Sequence, residues 1–192
     1  MTNEDRRVLR TKKAIKETLA EMLLSDNLES IKVSKITEAA GISRMAFYYH
    51  YEDLYDLYDK FEFDFFSEFT TLFCESPTHD YRETMSAMLD FLQDNANTVK
   101  YFSLISENRL FRSKLASAIE DKFTEIVMYE MGITELTDYL RYIISYHSGG
   151  MYSLFMSWIE SDFACPKDDI LNLVKNIDEC CDPLYTLDIP AI

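Results

Sequence analysis

Apolar side chains recur along this chain at intervals of three and four, seldom of two, and that period predicts helices nearly end to end. Ile15, Leu19, Met22 and Leu23 mark one face of a helix over about 8–24, with Lys12, Lys13 and Lys16 near its start. Val33, Ile36, Ala39 and Ala40 predict a short helix over about 34–40, and after Gly41 a second short helix opens near Ser43. Leu54, Leu57, Tyr58, Phe61, Phe65, Phe69 and Leu72 form the stripe of a long helix over about 54–74. The run 75–81, ESPTHDY, breaks the pattern. Beyond it, helices are predicted over about 81–95, 97–107, 111–131 and 134–161, with Gly132 parting the last two, and Pro166 opens a final one over about 167–181. With 4 Gly and 4 Pro the chain lacks the turn supply of a β protein, and an all-α fold of about nine helices is expected.

The two short helices around Gly41 have the spacing of a helix-turn-helix. Gly41 suits a left-handed turn residue because it has no Cβ to clash there. Ile42 and Phe47 are the apolar locks of the second helix, which leaves Ser43, Arg44, Met45, Tyr48, Tyr49 and His50 for an outer face. Arg44 is the strongest candidate for reading sequence, since a guanidinium can bind guanine O6 and N7 together. Met45 and Ala46 offer apolar contact, for instance to a thymine methyl. Ser34 is placed to cap the first short helix, whose free N–H groups suit a phosphate oxygen. Lys12, near the start of the first helix, and Arg6, just before it, are open to two readings, phosphate contact or a solvated charged face.

The stretch AAGISRMAFYYHYEDLYDL resembles the N-terminal DNA-binding domain of the TetR/AcrR family of transcription regulators. The matching features are the turn Ala40 to Ser43, the pair Phe47 and Tyr48, His50 followed by an aromatic, and Asp53 opening the next helix. SGGMYSLFMSWIES, with Tyr48 and Tyr49 before His50, is similar to the branch containing the dihydroxyacetone kinase operon regulators, and LISENRLFRSKL supports the middle of the chain. The resemblance implies a DNA-binding domain over 1–53 and an effector-binding and dimerisation domain over 54–192. It implies that Ser34 reaches a base edge, Lys32 lies near the backbone, and Tyr48 and His50 hydrogen-bond phosphates. It also implies a ligand pocket in the body, for which Phe65, Phe69, Met88, Tyr101, Phe102, Met128, Tyr146 and Met151 are the candidate walls. Three positions depart from the family pattern: Ala46 where a hydroxyl is common, Glu52 where a base is, and Leu54 where a phosphate-binding lysine often stands.

Gly149 and Gly150 fall inside YIISYHSGGMYSLFMSWIE, where each costs about 1 kcal/mol relative to alanine. A kink would explain them, as would the close approach of another backbone. The family resemblance implies a dimer built from the last two long helices, with Gly149, Gly150, Ser153, Trp158, Leu171 and Val174 as interface candidates. Two readers about 34 to 36 Å apart would then meet a palindromic operator in double-stranded DNA.

Charge sharpens this picture. The net charge is -15, but residues 1–50 carry 9 basic against 7 acidic side chains, or +2, and residues 51–192 carry 10 against 27, or -17. The acid lies outside the reader, which favours oriented approach to phosphate over coating. Twelve of the 27 aromatic residues fall between Phe47 and Phe73, which makes the long helix a stiff connector. Cys74, Cys165, Cys180 and Cys181 form no CxxC pair and have no histidine at zinc-finger spacing, so free thiols in a reducing compartment are expected. No apolar run reaches the length of a membrane span and the first residues have no secretory h-region, so a cytoplasmic protein is expected. No P-loop, GxSxG, HExxH or di-iron Glu-x-x-His pair is present. The expected function is a homodimeric, sequence-specific regulator without cofactor or metal, most simply a repressor released by a small molecule. The alternatives are an activator working with a protein co-regulator and, further off, an all-α enzyme or metal-binding bundle.

Overall fold

The computed structural model describes residues 3–73, 79–105 and 110–185, and every regular element among them is helical. Among these residues nine α-helices follow in order: α1 (Asn3–Leu23), α2 (Val33–Ala39), α3 (Arg44–His50), α4 (Leu54–Phe73), α5 (Tyr81–Asp94), α6 (Ala96–Lys100), α7 (Leu110–Met131), α8 (Asp138–Glu160) and α9 (Lys167–Tyr185). The all-α expectation therefore stands. Packing divides the chain into two compact units, one of Met1–Glu68 with Asn95–Glu107, the other of Phe69–Asp94 with Asn108–Ile192. Helix α4 contributes to both.

In the first unit α1 packs against α2, α3 and α6. Ile15, Leu19 and Leu23 of α1 meet Ile36 of α2 and Phe47 of α3 in a core that excludes water, each of them at most 1% exposed. The first half of α4 adds Leu57, Phe61, Phe65 and Phe66. Their aromatic faces are closed by a distant piece of chain: a single π-helical turn, Tyr101–Ile105, continues α6 and places Phe102 against Phe61 at 5.5 Å and Phe65 at 5.3 Å, both nearly parallel. Beside this stack the Tyr58 and Tyr101 hydroxyls share a hydrogen bond of 3.3 Å. An ion pair between Lys16 and Asp64 ties α1 to α4.

In the second unit α7 lies along α8, and α9 packs against α5 and α8. Phe69, Phe73, Phe91 and Phe111 form its aromatic centre, with ring centroids 4.9 to 5.9 Å apart. Trp158 is 2% exposed, and its indole N–H donates to the Cys165 carbonyl at 2.8 Å, which binds the end of α8 to the chain leading into α9. That connection bends through Asp162 and Phe163, both at positive φ.

Several element boundaries differ from the periodic reading. Helix α1 begins at Asn3, well before Val8, because Arg6, Arg7 and Arg10 are good helix formers and need no apolar stripe to extend it. Helix α8 begins at Asp138, four residues later than Thr134, since the Thr137 hydroxyl accepts from the Leu140 N–H and so fixes the start as an N-cap. The helix expected over 97–107 is α-helical only to Lys100 before the π turn. Leu72, expected in the α4 stripe, is exposed. Cys74 and most of the break after it lie outside the described residues, as do the Cys180 and Cys181 side chains; Cys165 is a free thiol.

Phe102 is 1% exposed, and its ring fills a slot between three others. Phe102→Ala is expected to destabilise the first unit by about 3–5 kcal/mol, the usual cost of emptying an aromatic site. Urea unfolding followed by circular dichroism measures this, and a loss below about 1 kcal/mol would mean that the aromatic stack does not hold the unit together.

Candidate nucleic-acid interface

The turn between α2 and α3 is built by its hydrogen bonds. At the end of α2 the Gly41 N–H donates to the Glu38 carbonyl and the Ile42 N–H to that of Thr37, at 3.2 and 2.9 Å. This closure needs a left-handed residue, and Gly41 supplies it at φ +65°. The chain then reverses into α3, whose N-cap is Ser43: its hydroxyl accepts from the Ala46 N–H at 3.1 Å. In helix α3, one residue of seven faces fully inward. Phe47 is 0% exposed, in contact with the Tyr51 ring at 5.6 Å.

The rest of α3 faces away from the core. Met45 is 83% exposed, Tyr49 78% and Tyr48 56%, and Arg44 is exposed as well. Ala46 and His50 are half-buried, and Tyr51, just after the helix, is buried. Lys32 is exposed at the N-cap of α2. The helix starts at Val33, one residue earlier than the periodicity suggests, so Ser34 lies inside the first turn and is not its cap; its carbonyl accepts the Thr37 hydroxyl. Lys32 in extended conformation takes the cap position without a side-chain bond. Lys32, Ser34, Ser43, Arg44, Met45, Ala46, Tyr48, Tyr49 and His50 therefore gather on and around one two-helix corner, and the Ser43 hydroxyl there already has a structural task.

The corner is held against α4. The Asp53 carboxylate accepts from the Asp56 N–H at 2.9 Å, and the Asp56 carboxylate accepts from the Glu52 N–H at 2.9 Å, a reciprocal cap at the start of α4. Lys60 donates to Asp56 at 2.8 Å and reaches the His50 carbonyl at 3.5 Å, a cation placed at the carboxyl end of α3. Lys60 and the main-chain N–H of Glu52 hold the Asp56 carboxyl below its ordinary range. Loss of water around the His50 ring, then the positive charge of Lys12, lower the His50 pKa from its usual 6.5, so the imidazole is neutral at pH 7. Burial, then the charges of Asp64 and Asp56, push the Tyr51 phenol up to about 12, which leaves it un-ionised at any physiological pH. Sequence reasoning missed Lys60; its signal was an i, i+4 pair with Asp56 directly behind the reader.

The body candidates separate. Phe65, Tyr101 and Phe102 belong to the first unit's aromatic stack and cannot line a pocket in the second. Phe69 is locked among Phe73, Phe91 and Phe111. Tyr146 is 81% exposed, and Met128 is half-buried on α7. Met88 and Met151 do line a cavity of about 20 Å³ between α5, α7 and α8. Of the interface candidates, Gly149, Gly150 and Ser153 are exposed and Leu171 is half-buried. Trp158 and Val174, at 2% and 1% exposure, are committed to the chain's own core and have no surface to offer a partner. Among the described residues no three His, Cys, Asp or Glu side chains gather as a metal site, and no helix is long and apolar enough to cross a membrane.

Comparison with known proteins gives these features a setting. Residues 80–178 match the model of a transcriptional regulator C-terminal region of the TetR type. Among solved structures the chain is similar to the dihydroxyacetone kinase operon activator DhaS, at a TM-score of 0.61 and 17% identity over 87% of this chain and 93% of that one. A search of curated sequences found no match.

Because Gly41 stands at φ +65° and no described atom lies within 4 Å of a Cβ built on it, Gly41→Ala pays for backbone strain alone. The expected loss is about 1–2 kcal/mol, and Gly41→Asn should lose less because asparagine tolerates this conformation. Chemical denaturation of the wild type and the two variants checks the order. A Gly41→Ala chain as stable as the wild type would show that the turn is not held in the left-handed region.

Proposed function

The chain belongs to the TetR-like family of transcriptional regulators, and from that premise we propose that it is a homodimeric, sequence-specific DNA-binding protein that uses α3 as its reader. The observation that carries this reading is the disposition of α3: one buried ring, Phe47, and an outward row of Arg44, Met45, Tyr48 and Tyr49. Arg44 reads a guanine edge, Met45 and Ala46 touch thymine methyls, and Lys32, Tyr48 and His50 take phosphates, with His50 donating as a neutral imidazole. Ser34 and Tyr49 border the same groove. Few cations serve each half-site, so the salt dependence of binding is shallow.

Dimerisation through α8 and α9 is supported by the glycines. Helix α8 runs unbroken from Asp138 to Glu160, and a Cβ on Gly149 or Gly150 would meet nothing within 4 Å among the described residues. The described chain itself does not require glycine there, and the open space leaves room for a second backbone. Tyr142 and Tyr146, 76% and 81% exposed, continue the same stripe at helical spacing, and Leu173 and Ile177 are exposed on α9. A second copy packed there covers these apolar surfaces and brings two readers to one palindrome.

The regulator is a repressor released by a small molecule that favours one arrangement of the dimer over the other. A second reading, an activator that responds to a protein co-regulator, draws on the small size of the cavity in the body and on the likeness to DhaS, which is an operon activator. Operator binding by the purified protein, with candidate metabolites and then with cell proteins added, separates the two. The same placement of α3 gives no support to an enzyme.

Two substitutions test the main reading. Arg44→Ala should remove about 1–3 kcal/mol of discrimination per half-site against duplexes selected from a random pool, with folding and dimerisation unchanged. Unaltered selectivity would take Arg44 out of the reader. Gly150→Leu should leave the monomer fold intact, since its own chain leaves the space open, and shift sedimentation at micromolar concentration from dimer towards monomer. A mutant that sediments like the wild type would place the interface elsewhere.

A further inference from the structure

Side chains tell base edges apart in the major groove chiefly by four contacts: a cation on guanine, a side-chain amide on adenine, a carboxylate on the cytosine amine, and an apolar group on the thymine methyl. The corner from Ala40 to His50 supplies them unevenly. It contains no Asn, Gln, Asp or Glu, so adenine and cytosine find none of their usual side-chain partners there. The Ser43 hydroxyl already accepts from the Ala46 N–H. Arg44 is the corner's one guanidinium and stands exposed in the first turn of α3. Met45 comes next, and among the described residues it is the most exposed large apolar side chain. Tyr49, one turn further along the same ridge, is exposed as well. Ala46 is half-buried and ends after one carbon, so it borders this patch without projecting from it. Consecutive Cα atoms lie about 3.8 Å apart, close to the roughly 3.4 Å step between bases of one strand, so Arg44 and Met45 address one base pair or two adjacent ones. An unmodified G·C pair carries no methyl, and the two residues therefore divide adjacent pairs between them.

We propose, resting on the reading of α3 as the helix that enters DNA, that each half-site contains a C5-methylated pyrimidine beside the guanine held by Arg44, and that Met45 recognises the methyl group itself, whichever pyrimidine carries it. The methyl at C5 projects into the major groove from thymine and from 5-methylcytosine alike, whereas uracil and cytosine lack it. Methionine suits this task because its unbranched, polarisable thioether moulds itself onto a methyl and asks for no donor or acceptor. The atoms that distinguish the two methylated pyrimidines are O4 of thymine and the N4 amine of cytosine. With neither amide nor carboxylate beside Met45, the corner has no group of the usual kind to sort them. Methylation of a cytosine at this step therefore turns a poor site into a good one, and the protein senses the modification state of the DNA as well as its sequence.

Duplexes selected from a random pool by the full chain supply the probe, and fluorescence anisotropy at one salt concentration measures its affinity with each thymine replaced in turn by deoxyuridine. One thymine of each half-site, next to a guanine, is expected to lose about fourfold with its methyl, and about fifteenfold when both half-sites are changed, the usual effect of burying one such carbon at each. When that T·A pair is exchanged for C·G, methylating the cytosine at C5 should raise affinity by about the same fourfold. In Met45→Ala, whose replaced side chain is exposed and leaves the fold intact, both methyl effects should shrink to roughly twofold or less. Equal affinity for thymine and deoxyuridine at every position overturns the proposal, as does a responsive thymine with no guanine beside it. So does 5-methylcytosine bound no better than cytosine, or a methyl effect undiminished in Met45→Ala. A chain that selects no duplex fails as a DNA reader and takes the methyl site with it; a chain that selects duplexes and ignores their methyl groups remains a reader and loses this specificity alone.

Discussion

A helix of seven residues has no stability of its own in water, because nucleation costs more than so few hydrogen bonds return. Helix α3 exists because Phe47 is withdrawn completely from solvent and because Ser43 and Lys60 close its two ends. Everything presented outward depends on that single ring. Met45, Tyr48 and Tyr49 are large side chains that burial would ordinarily claim, and in this fold the core has no vacancy for them. An exposed apolar cluster on so small an element is a cost unless a partner covers it. A major groove with thymine methyls and phosphates on its rims is a partner of the right shape and chemistry.

The sequence was most legible where one residue type has one physical use. Gly41 marked a left-handed turn and the structure has it there; Phe47, expected with Ile42 as an apolar lock, is the residue of its short helix that the structure buries. The period of three and four found the long helices for the same reason, since their stripes are what the two cores are made of. Legibility failed where a choice depended on distant chain. Nothing near Phe102 announces that it will close a stack formed by Phe61, Phe65 and Phe66, far earlier in the sequence. Aromatic residues and methionines at helical spacing looked alike as candidate pocket walls, and packing alone divides off a filled stack, a second filled cluster and two methionines that border a small cavity. Ser34 and Thr137 show the limit at finer scale. Both are hydroxyl residues near a helix start, and only the hydrogen bond to Leu140 distinguishes a cap from a neighbour of one.

Charge follows a similar division between what sequence states and what geometry decides. Counting places most of the acid outside the first fifty residues, but it cannot say that Asp56 is engaged by Lys60 and a main-chain N–H, or that loss of water, then the charge of Lys12, depresses the basicity of His50. Both effects bear on how a phosphate is met. An imidazole kept neutral contributes a directed hydrogen bond and little charge, and Lys60, pulled back towards the carboxyl end of α3, is a poor substitute for a free phosphate ligand at the position of Leu54. On the proposed reading, α3 is specified more by shape and donor placement than by positive charge. An interface of that kind gains its selectivity from base contacts, because the unspecific attraction that would otherwise mask them is small.

The two glycines of α8 raise the question of why a folded chain keeps residues that its own described interior does not need. Each gives up helix stability that alanine would restore, and no neighbouring atom of the described chain forbids the exchange. Their presence is rational when the chain must also match something beyond itself, and a second backbone at close approach is the match that the proposed dimer supplies. That demand falls on an exposed stripe of α8, and it can be removed without disturbing Phe47.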